Sequence, residues 1–322
     1  MDISVIIPVY NEEDNVDALY ARMTQVLSAI TTDYELLFVN DGSRDKTLLK
    51  VMTLAEKDKK VRYIDFSRNF GHQVAVSAGL DHAFGNAVVI IDADLQDPPE
   101  LIADMYKLLQ SGFEVVYAKR KKRKGESWFK LFTAKLFYRI LNRWATIDIP
   151  LDTGDFRIMS QSIVRVLRQM PEKHKFLRGQ ISWIGFRQTF VEYERDARFA
   201  GETKYPFRKM LRFAIDGITG FSTVPLKLVS LLGFLSSGLA FLMILWVIFV
   251  RVFGRSFDIT VQLGWSSTMI TVLFLGGIQL IGIGILGEYI ARINDNIKDR
   301  PLYIIRHKSE ALRQYEPAQG VE

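Results

Sequence analysis

The segment Val88-Val89-Ile90-Ile91-Asp92-Ala93-Asp94-Leu95-Gln96-Asp97 runs from four apolar residues straight into acid. In an extended chain successive side chains alternate sides, so Asp92, Asp94 and Gln96 would share a face. Two carboxylates and an amide oxygen make a hard-oxygen donor set suited to Mg²⁺ or Mn²⁺. A half-built site of this kind, without imidazole or thiolate, leaves positions open for substrate phosphates. The plainer alternative is a solvated acidic turn capping a helix that begins near Pro98. The strictly apolar run before the acids favours the metal reading.

A second concentration of reactive side chains lies between Lys119 and Arg143, where ten basic residues stand against one acid, Glu126. Trp128, Phe129, Leu131, Phe132, Leu136, Phe137 and Tyr138 interleave with them. This mixture suits contact with anionic lipid, worth about 1 kcal/mol per basic residue near the surface. Recognition of a lipid phosphate overlaps with that reading, and Arg120 and Lys130 are its leading candidates. A nucleic-acid groove would want similar charge, but the acidic cluster and the apolar runs below argue against it, and no nucleic-acid partner is expected.

The whole chain of 322 residues carries 42 Lys+Arg and 36 Asp+Glu, a net +6, and no cysteine. That excludes a disulfide scaffold, a thiolate metal site and a cysteine nucleophile. Hydrophobic residues at 48% and charged residues at 24% exclude wholesale disorder.

The elements that must position these groups follow from periodicity. Short apolar runs at Ile3–Val9, Tyr34–Asn40, Val61–Phe66, Ala87–Ile91 and Phe113–Ala118 read as strands. Helix-length segments alternate with them: Glu12–Ile30, Asp45–Lys57, His72–Phe84 and Pro99–Gln110. The rhythm predicts an α/β domain with a mostly parallel sheet and helices on both faces. Such sheets bind ligands at the carboxyl ends of their strands. Tyr10-Asn11-Glu12, Asn40-Asp41-Gly42-Ser43, Ser67-Arg68-Asn69 and Asp92-Ala93-Asp94 all fall there. The glycine fingerprint of dinucleotide-binding domains is missing after the first strand. A G-x-G-x-x-G does occur at Gly282, Gly284 and Gly287, but inside an apolar run, where glycines permit close helix packing.

Two uncharged runs dominate the C-terminal third: Leu228–Val250, of 23 residues, and Ile259–Gly287, of 29. As helices they would reach about 35 and about 43 Å, against a hydrocarbon core of about 30 Å. Lys204, Arg208, Lys209, Arg212 and Lys227 precede the first, and Arg292, Lys298, Arg300, Arg306 and Lys308 follow the second. The connecting segment holds only Arg251 and Arg255. Cytoplasmic flanks carry the excess of Lys and Arg, so both termini are expected in the cytoplasm, with a multi-pass hairpin in the plasma (inner) membrane. The first residues carry no basic leader or cleavage site, and no signal peptide is expected. Pro206–Val224 mixes Phe207, Leu211 and Phe213 with Arg208, Lys209 and Arg212, as an amphipathic helix at headgroup level would. The expected organisation is a cytoplasmic domain over 1–205, an amphipathic juxtamembrane segment over 206–225, a two-helix transmembrane hairpin over 226–290 and a cytoplasmic tail over 291–322.

Pro8-Val9-Tyr10-Asn11-Glu12, Asn40-Asp41-Gly42-Ser43, Ser67-Arg68-Asn69-Phe70-Gly71-His72 and Asp92-Ala93-Asp94-Leu95-Gln96-Asp97-Pro98-Pro99-Glu100 together resemble the inverting glycosyltransferases of family 2. More narrowly, the chain is similar to the polyprenyl-phosphate glycosyltransferases, which include dolichol-phosphate mannose synthase and the bactoprenol glucosyltransferases. The resemblance extends through Leu151–Arg157, Arg198–Tyr205 and both apolar runs, nearly the whole chain.

It implies a GT-A fold, a Rossmann-like nucleotide-sugar domain. Pro8, Tyr10 and Glu12 would hold the base and ribose, Asp41 would contact the base, and Arg68 and Asn69 would line the donor pocket. Asp92 would contact donor or metal, while Asp94 and Gln96 would ligate Mg²⁺ or Mn²⁺. Asp155 stands at the family's base position. Because a phosphate acceptor is already anionic at neutral pH, Asp155 is assigned to orienting acceptor or donor, with proton removal secondary. Arg120, Lys130, Arg198 and Lys204 are expected on the acceptor phosphate or the leaving diphosphate. His72 stands where many relatives carry Lys, and it is expected to open a helix.

The Q-x-x-R-W of processive synthases is missing: Ile140-Leu141-Asn142-Arg143-Trp144 lacks the Gln and precedes Asp155. A single transfer is therefore expected, most simply glucose from UDP-glucose to undecaprenyl phosphate. GDP-mannose or a UDP-aminosugar as donor, and a non-catalytic membrane scaffold binding nucleotide sugar or lipid, are the alternatives. Implied partners are the nucleotide sugar, the polyprenyl phosphate, membrane lipid and further copies of the chain, a tetramer by family likeness.

Overall fold

The computed structural model describes residues 1–121, 153–194, 224–253 and 265–313. These fall into two compact units. The first, built from the N-terminal residues and from those after 299, is organised around one eight-stranded sheet.

Its first half follows the sequence pattern closely: β1 (Ile3–Val9), α1 (Val16–Ser28), β2 (Tyr34–Asn40), α2 (Thr47–Lys57), β3 (Val61–Phe66), α3 (His72–His82), β4 (Ala87–Ile90), α4 (Leu101–Gln110) and β5 (Val115–Arg120). Every residue of β1, β2 and β4 is buried. Strands covered on both faces read as continuous apolar runs rather than alternating ones, which is why their bounds were legible. Alternation shows in the packing instead. Ile3, Val5 and Ile7 join Leu19 and Met23 of α1 and Ile102 of α4 in one core. Ile6 joins Ala75, Val76 and Ala78 of α3 in the other.

The second half departs from the simple alternation. β6 (Thr153–Ser160), α5 (Gln161–Arg168), α6 (Leu177–Ile184), β7 (Gln188–Tyr193), β8 (Ile305–Lys308) and the single turn α9 (Glu310–Arg313) complete the unit. The strand order is β7-β5-β6-β4-β1-β2-β3-β8. β1, β2, β3 and β4 run parallel, as does β5 with β7. β6 is inserted antiparallel between β4 and β5, and β8 is antiparallel to β3. Residues 305–308, read from sequence as part of a tail, thus close one edge of the sheet.

One buried polar cluster ties β1, β2 and β3 together. Arg62 Nη1 lies 2.8 Å from Glu35 Oε2, and the Glu35 side chain is fully buried. Glu35 also accepts hydrogen bonds from Ser4 Oγ and the Phe84 N–H. Removing one member of a buried pair strands the other charge in low dielectric. Glu35→Ala is therefore expected to lower unfolding free energy by about 3–5 kcal/mol, read in denaturant melts of the purified protein. A loss under about 1 kcal/mol would show that water reaches Arg62.

The second unit consists of two long helices, α7 (Val224–Phe253) and α8 (Trp265–Ile297). Pro225 sits in the first turn of α7, where its missing N–H costs nothing. Val224–Met243 and Ile270–Ile297 are long and apolar enough to cross a membrane, with mean hydropathy 1.8 and 2.1, and neither is buried inside protein. Phe234, Leu235, Leu239, Leu280 and Ile283 are all more than half exposed. That exposure is costly in water and natural in lipid, so it separates these helices from the core helices of a soluble domain. At Gly282 an added Cβ would lie 3.0 Å from Val229 Cγ1, so this glycine lets the two helices approach.

Candidate active site

The parallel strands β1 to β4 deliver their carboxyl ends to one edge. Pro8 is buried in β1 opposite Val39, and β4 pairs with β1 only as far as Ile6, so the missing N–H of Pro8 interrupts no ladder to β4. After β1, Asn11 adopts φ 53° and its side chain accepts the Arg44 N–H at 2.9 Å. The Glu12 N–H donates to Thr47 Oγ1 at 2.8 Å, and Glu12 Oε2 accepts Asn15 Nδ2 at 2.7 Å. Tyr10 lies half-buried beside them.

Asp41 follows β2 and spends its carboxylate on the next loop. Oδ1 accepts the Phe70 N–H at 2.6 Å and Oδ2 the Gly71 N–H at 3.0 Å, while the Asp41 carbonyl accepts Asn69 Nδ2 at 3.1 Å. Burial pushes its carboxyl upward against the pull of those two N–H donors. Gly42 has φ +67°, and a Cβ there would stand 2.5 Å from the Arg68 carbonyl carbon. Only glycine lets the two loops abut in this way. Arg68 is exposed, its guanidinium 4.0 Å from the Phe70 ring centroid.

Beyond β4 the chain does not stay extended. Ala93 and Asp94 enter a turn, Leu95 takes φ 57°, and Asp94 Oδ1 accepts the Gln96 N–H at 3.2 Å. The shared face expected for Asp92, Asp94 and Gln96 is thus replaced by a tight turn whose hydrogen bonding is local. Among the described residues no three His, Cys, Asp or Glu side chains converge as a ready metal cage. The donor set nevertheless fits a divalent ion: buried Asp92 Oδ1 accepts no hydrogen bond within the described residues, His72 Nε2 standing 3.6 Å off, so a strong acceptor has capacity to spare. A two-carboxylate turn completed by ligand oxygens is the arrangement Mg²⁺ and Mn²⁺ tolerate.

Antiparallel β6 brings the last carboxylate. Ile90 pairs with Arg157, so continuing that register by two residues sets Asp92 of the β4 end across from Asp155. His72, the first residue of α3, lies between them, with Nε2 3.1 Å from Asp155 Oδ2 and 3.6 Å from Asp92 Oδ1. Gln73 Nε2 donates to Asp155 Oδ2 at 3.2 Å, and Gln73 Oε1 accepts the Leu177 N–H at 3.2 Å. Arg178, one residue into α6, donates from Nε to Asp155 Oδ1 at 2.9 Å. Arg157 Nη2 stands 3.8 Å from the same oxygen and donates to the Gly154 carbonyl at 2.9 Å.

The electrostatics follow from this packing. Burial would raise the Asp155 carboxyl, but Arg178 and His72 outweigh it and hold it well below the usual carboxylate range. Burial works against charge on His72, yet Asp92 and Asp155 push the imidazole up to about 9. Burial pushes Asp92 up to about 6, with His72 opposing and Asp155 adding. Burial brings Arg157 down to about 10. The packing thus favours the anionic form of Asp155 among His72, Arg178 and Arg157.

Arg120, at the end of β5, is drawn to the same edge: its Nε donates to Tyr193 Oη at 3.2 Å and its Nη2 lies 3.8 Å from Asp97 Oδ1. Tyr193 Oη donates a short hydrogen bond to Asp97. A Cβ at Gly154 would lie 3.0 Å from Arg120 Nη2, which sets this guanidinium against the strand that carries Asp155. Lys130, Arg198 and Lys204 lie outside the described residues. Sequence reasoning did not single out Gln73, Asp97, Arg157, Arg178 or Tyr193, and read His72 as a helix opener. His72, Asp97 and Arg157 sit inside motifs already quoted, so proximity to Asp92 and Asp155 was the available signal. Arg178 and Tyr193 carry no local signature at all.

Comparisons with known proteins identify the family. The family model described as "Glycosyl transferase family 2" matches residues 4–168. The chain is 52% identical over 303 residues to the uncharacterized glycosyltransferase YkcC of Bacillus subtilis (strain 168), covering 94% of this chain and 93% of that one. It is 41% identical over 307 residues to the SfII prophage-derived bactoprenol glucosyl transferase of Shigella flexneri, covering 95% and 98%. Among solved structures, glucosyl-3-phosphoglycerate synthase from Mycobacterium tuberculosis, in complex with Mn²⁺, UDP and phosphoglyceric acid, aligns over 68% of this chain and 76% of its own at 16% identity and a TM-score of 0.47, too distant a likeness to bear on the site. Near-complete coverage of relatives this similar, on a GT-A-like sheet with acids gathered at its carboxyl edge, means that the chain is a glycosyltransferase and belongs to glycosyl transferase family 2.

Proposed function

We propose that this enzyme transfers a single hexose, glucose from UDP-glucose, with inversion onto a polyprenyl phosphate such as undecaprenyl phosphate. Catalysis takes place at the cytoplasmic face of the plasma membrane, with both termini on that side and the α7–α8 hairpin as anchor. The observation that carries the reading is that His72 meets both Asp155 and Asp92 at the carboxyl edge, with Arg178 and Arg157 beside Asp155. A constellation rich in fixed cations and poor in a free base suits an acceptor that is already an anion. The relatives named bactoprenol glucosyl transferase support the same acceptor and sugar.

Asp92, Asp94 and Gln96 would hold Mg²⁺ or Mn²⁺, which supplies Lewis-acid stabilisation of charge on the leaving diphosphate. The protein's own residues do the rest. Asp155 orients the acceptor or a donor hydroxyl through its fixed cations, and Arg120, steadied by Asp97 and Tyr193, presents positive charge to phosphate. Lys130, Arg198 and Lys204 are assigned to the same phosphates. A prenyl chain cannot leave the bilayer, since each exposed CH₂ costs about 0.8 kcal/mol. The enzyme must therefore carry a water-soluble donor to the headgroup plane.

A transfer assay tests this. Purified full-length protein is given short-chain polyprenyl phosphate, Mg²⁺ or Mn²⁺, and in turn UDP-glucose, GDP-mannose and UDP-N-acetylglucosamine. The expected result is a glucolipid from UDP-glucose alone, abolished by EDTA and restored by the metal. Product from GDP-mannose instead would overturn the sugar assignment and keep the reaction class. Donor binding without product from any donor would point to a scaffold.

A further inference from the structure

The residues that follow α8 return to the sheet beside the loop after β3. Ser67 opens that loop, and the returning segment takes both its backbone groups. Its N–H donates to the Ile304 carbonyl at 3.0 Å, and its carbonyl accepts Arg306 Nη2 at 2.7 Å. Arg306 Nη1 also lies 3.9 Å from buried Asp65, which accepts Asn40 Nδ2 at 2.7 Å. Tyr303 stacks on Phe66 with ring centroids 5.2 Å apart and donates to Asp81 at 2.9 Å. Phe66 in turn meets Phe70 edge-on at 5.5 Å.

A strand that merely covered a sheet edge would need its ladder bonds to β3 and no more. The Arg306 bond goes past the ladder, to a carbonyl in the loop itself. From there the contacts lead inward, because the Phe70 and Gly71 N–H groups end on the Asp41 carboxylate, and His72 follows at once. The segment thus touches the loop after β3 directly and is linked to the end of β2 at one remove, through Asp65 and its hydrogen bond from Asn40.

We infer that residues 303–309 form a strap that positions the loops after β2 and β3 for the nucleotide sugar, with Arg306 as its positioning residue. The inference rests on the reading of those loops as the donor site. Arg306 itself touches no reacting atom. It holds Ser67 and Asp65, and so limits the arrangements that residues 67–71 sample before donor arrives, which lowers the ordering cost of binding.

The test uses the full chain in detergent or nanodiscs, with Arg306→Ala, Arg306→Lys and His307→Ala. Two quantities are read: hydrogen exchange at the Ser67, Phe70 and Gly71 amides, and UDP-glucose affinity by calorimetry beside turnover. Arg306→Ala is expected to speed exchange at these amides by about tenfold and weaken UDP-glucose by about tenfold, the order of a charge-assisted hydrogen bond. Turnover at saturating donor should stay within about twofold, as for lost ground-state binding. Arg306→Lys should recover part of both, and His307→Ala, an exposed neighbour on the same strand, neither. Unchanged exchange in Arg306→Ala would overturn the strap, and so would faster exchange with unchanged affinity. If the wild-type chain bound none of UDP-glucose, GDP-mannose or UDP-N-acetylglucosamine, the donor reading and the positioning role would fall together. That outcome is distinguishable because it appears before any variant is compared.

Discussion

Asp94→Ala is expected to lower glycolipid formation by about a thousandfold or more while leaving the fold intact. On the proposed reading Asp94 is a metal ligand, whose loss removes several kcal/mol of stabilisation from the leaving diphosphate, and each 1.36 kcal/mol is a factor of ten in rate. The structural cost should be small, because Asp94 is half-buried in a turn, where its Oδ1 accepts the nearby Gln96 N–H at 3.2 Å. Unfolding free energy should therefore change by less than about 1 kcal/mol. The pairing of the two readouts matters, since a folding defect would lower both. Metal dependence adds a third: raising Mg²⁺ or Mn²⁺ should recover part of the activity of Asp94→Asn, which keeps one oxygen, and none of that of Asp94→Ala. Turnover within tenfold of wild type for Asp94→Ala would remove this residue from the metal site.

Asp155 should behave differently, because on the proposed reading its carboxylate serves structure and chemistry at once. It is only 12% exposed and stands 2.9 Å from Arg178 and 3.1 Å from His72. Arg157 has 5% of its side chain exposed and lies 3.8 Å away. Asp155→Ala leaves these cations facing one another, and breaking a buried pair in this way costs about 3–5 kcal/mol. The variant should lose about that much stability and at least a hundredfold in turnover. Asp155→Asn keeps the shape and some hydrogen bonds, so it should fold better and still turn over slowly. A cycle of Asp155→Asn and Arg178→Gln then tests whether the pair acts as a unit. Residues in one such network couple by about 0.5–3 kcal/mol, so the double variant should be less impaired than the sum of the singles. Strict additivity would mean that Asp155 and Arg178 contribute separately, and near-normal turnover of Asp155→Asn would take it out of the mechanism.

These two cases also separate what could be read from residues from what could not. β1, β2 and β3 appear in the structure with the bounds that their apolar runs predicted, Ile3–Val9, Tyr34–Asn40 and Val61–Phe66. They are central, parallel and buried, so burial itself writes the pattern. β6 was invisible although it too is central and buried. Thr153-Gly154-Asp155-Phe156-Arg157 places glycine, acid and base inside a strand, and neither period is visible in it. β7 and β8 lie at the two edges of the sheet, where mixed polarity is tolerated and no periodic signal is required.

By itself the sequence determined the α/β class, the two apolar helices, the acidic run after β4 (though not that it turns) and the family likeness, because each is written in consecutive residues. Only the tertiary structure decided that an inserted antiparallel strand carries Asp155 to the His72 side chain that Asp92 also meets, that Arg178 arrives from α6 to neutralise it, and that a segment beyond α8 returns to brace the loop at Ser67. Those facts depend on strand register and on contacts between residues far apart in the chain. No local propensity encodes them, since the same residue types would serve equally well in any other register.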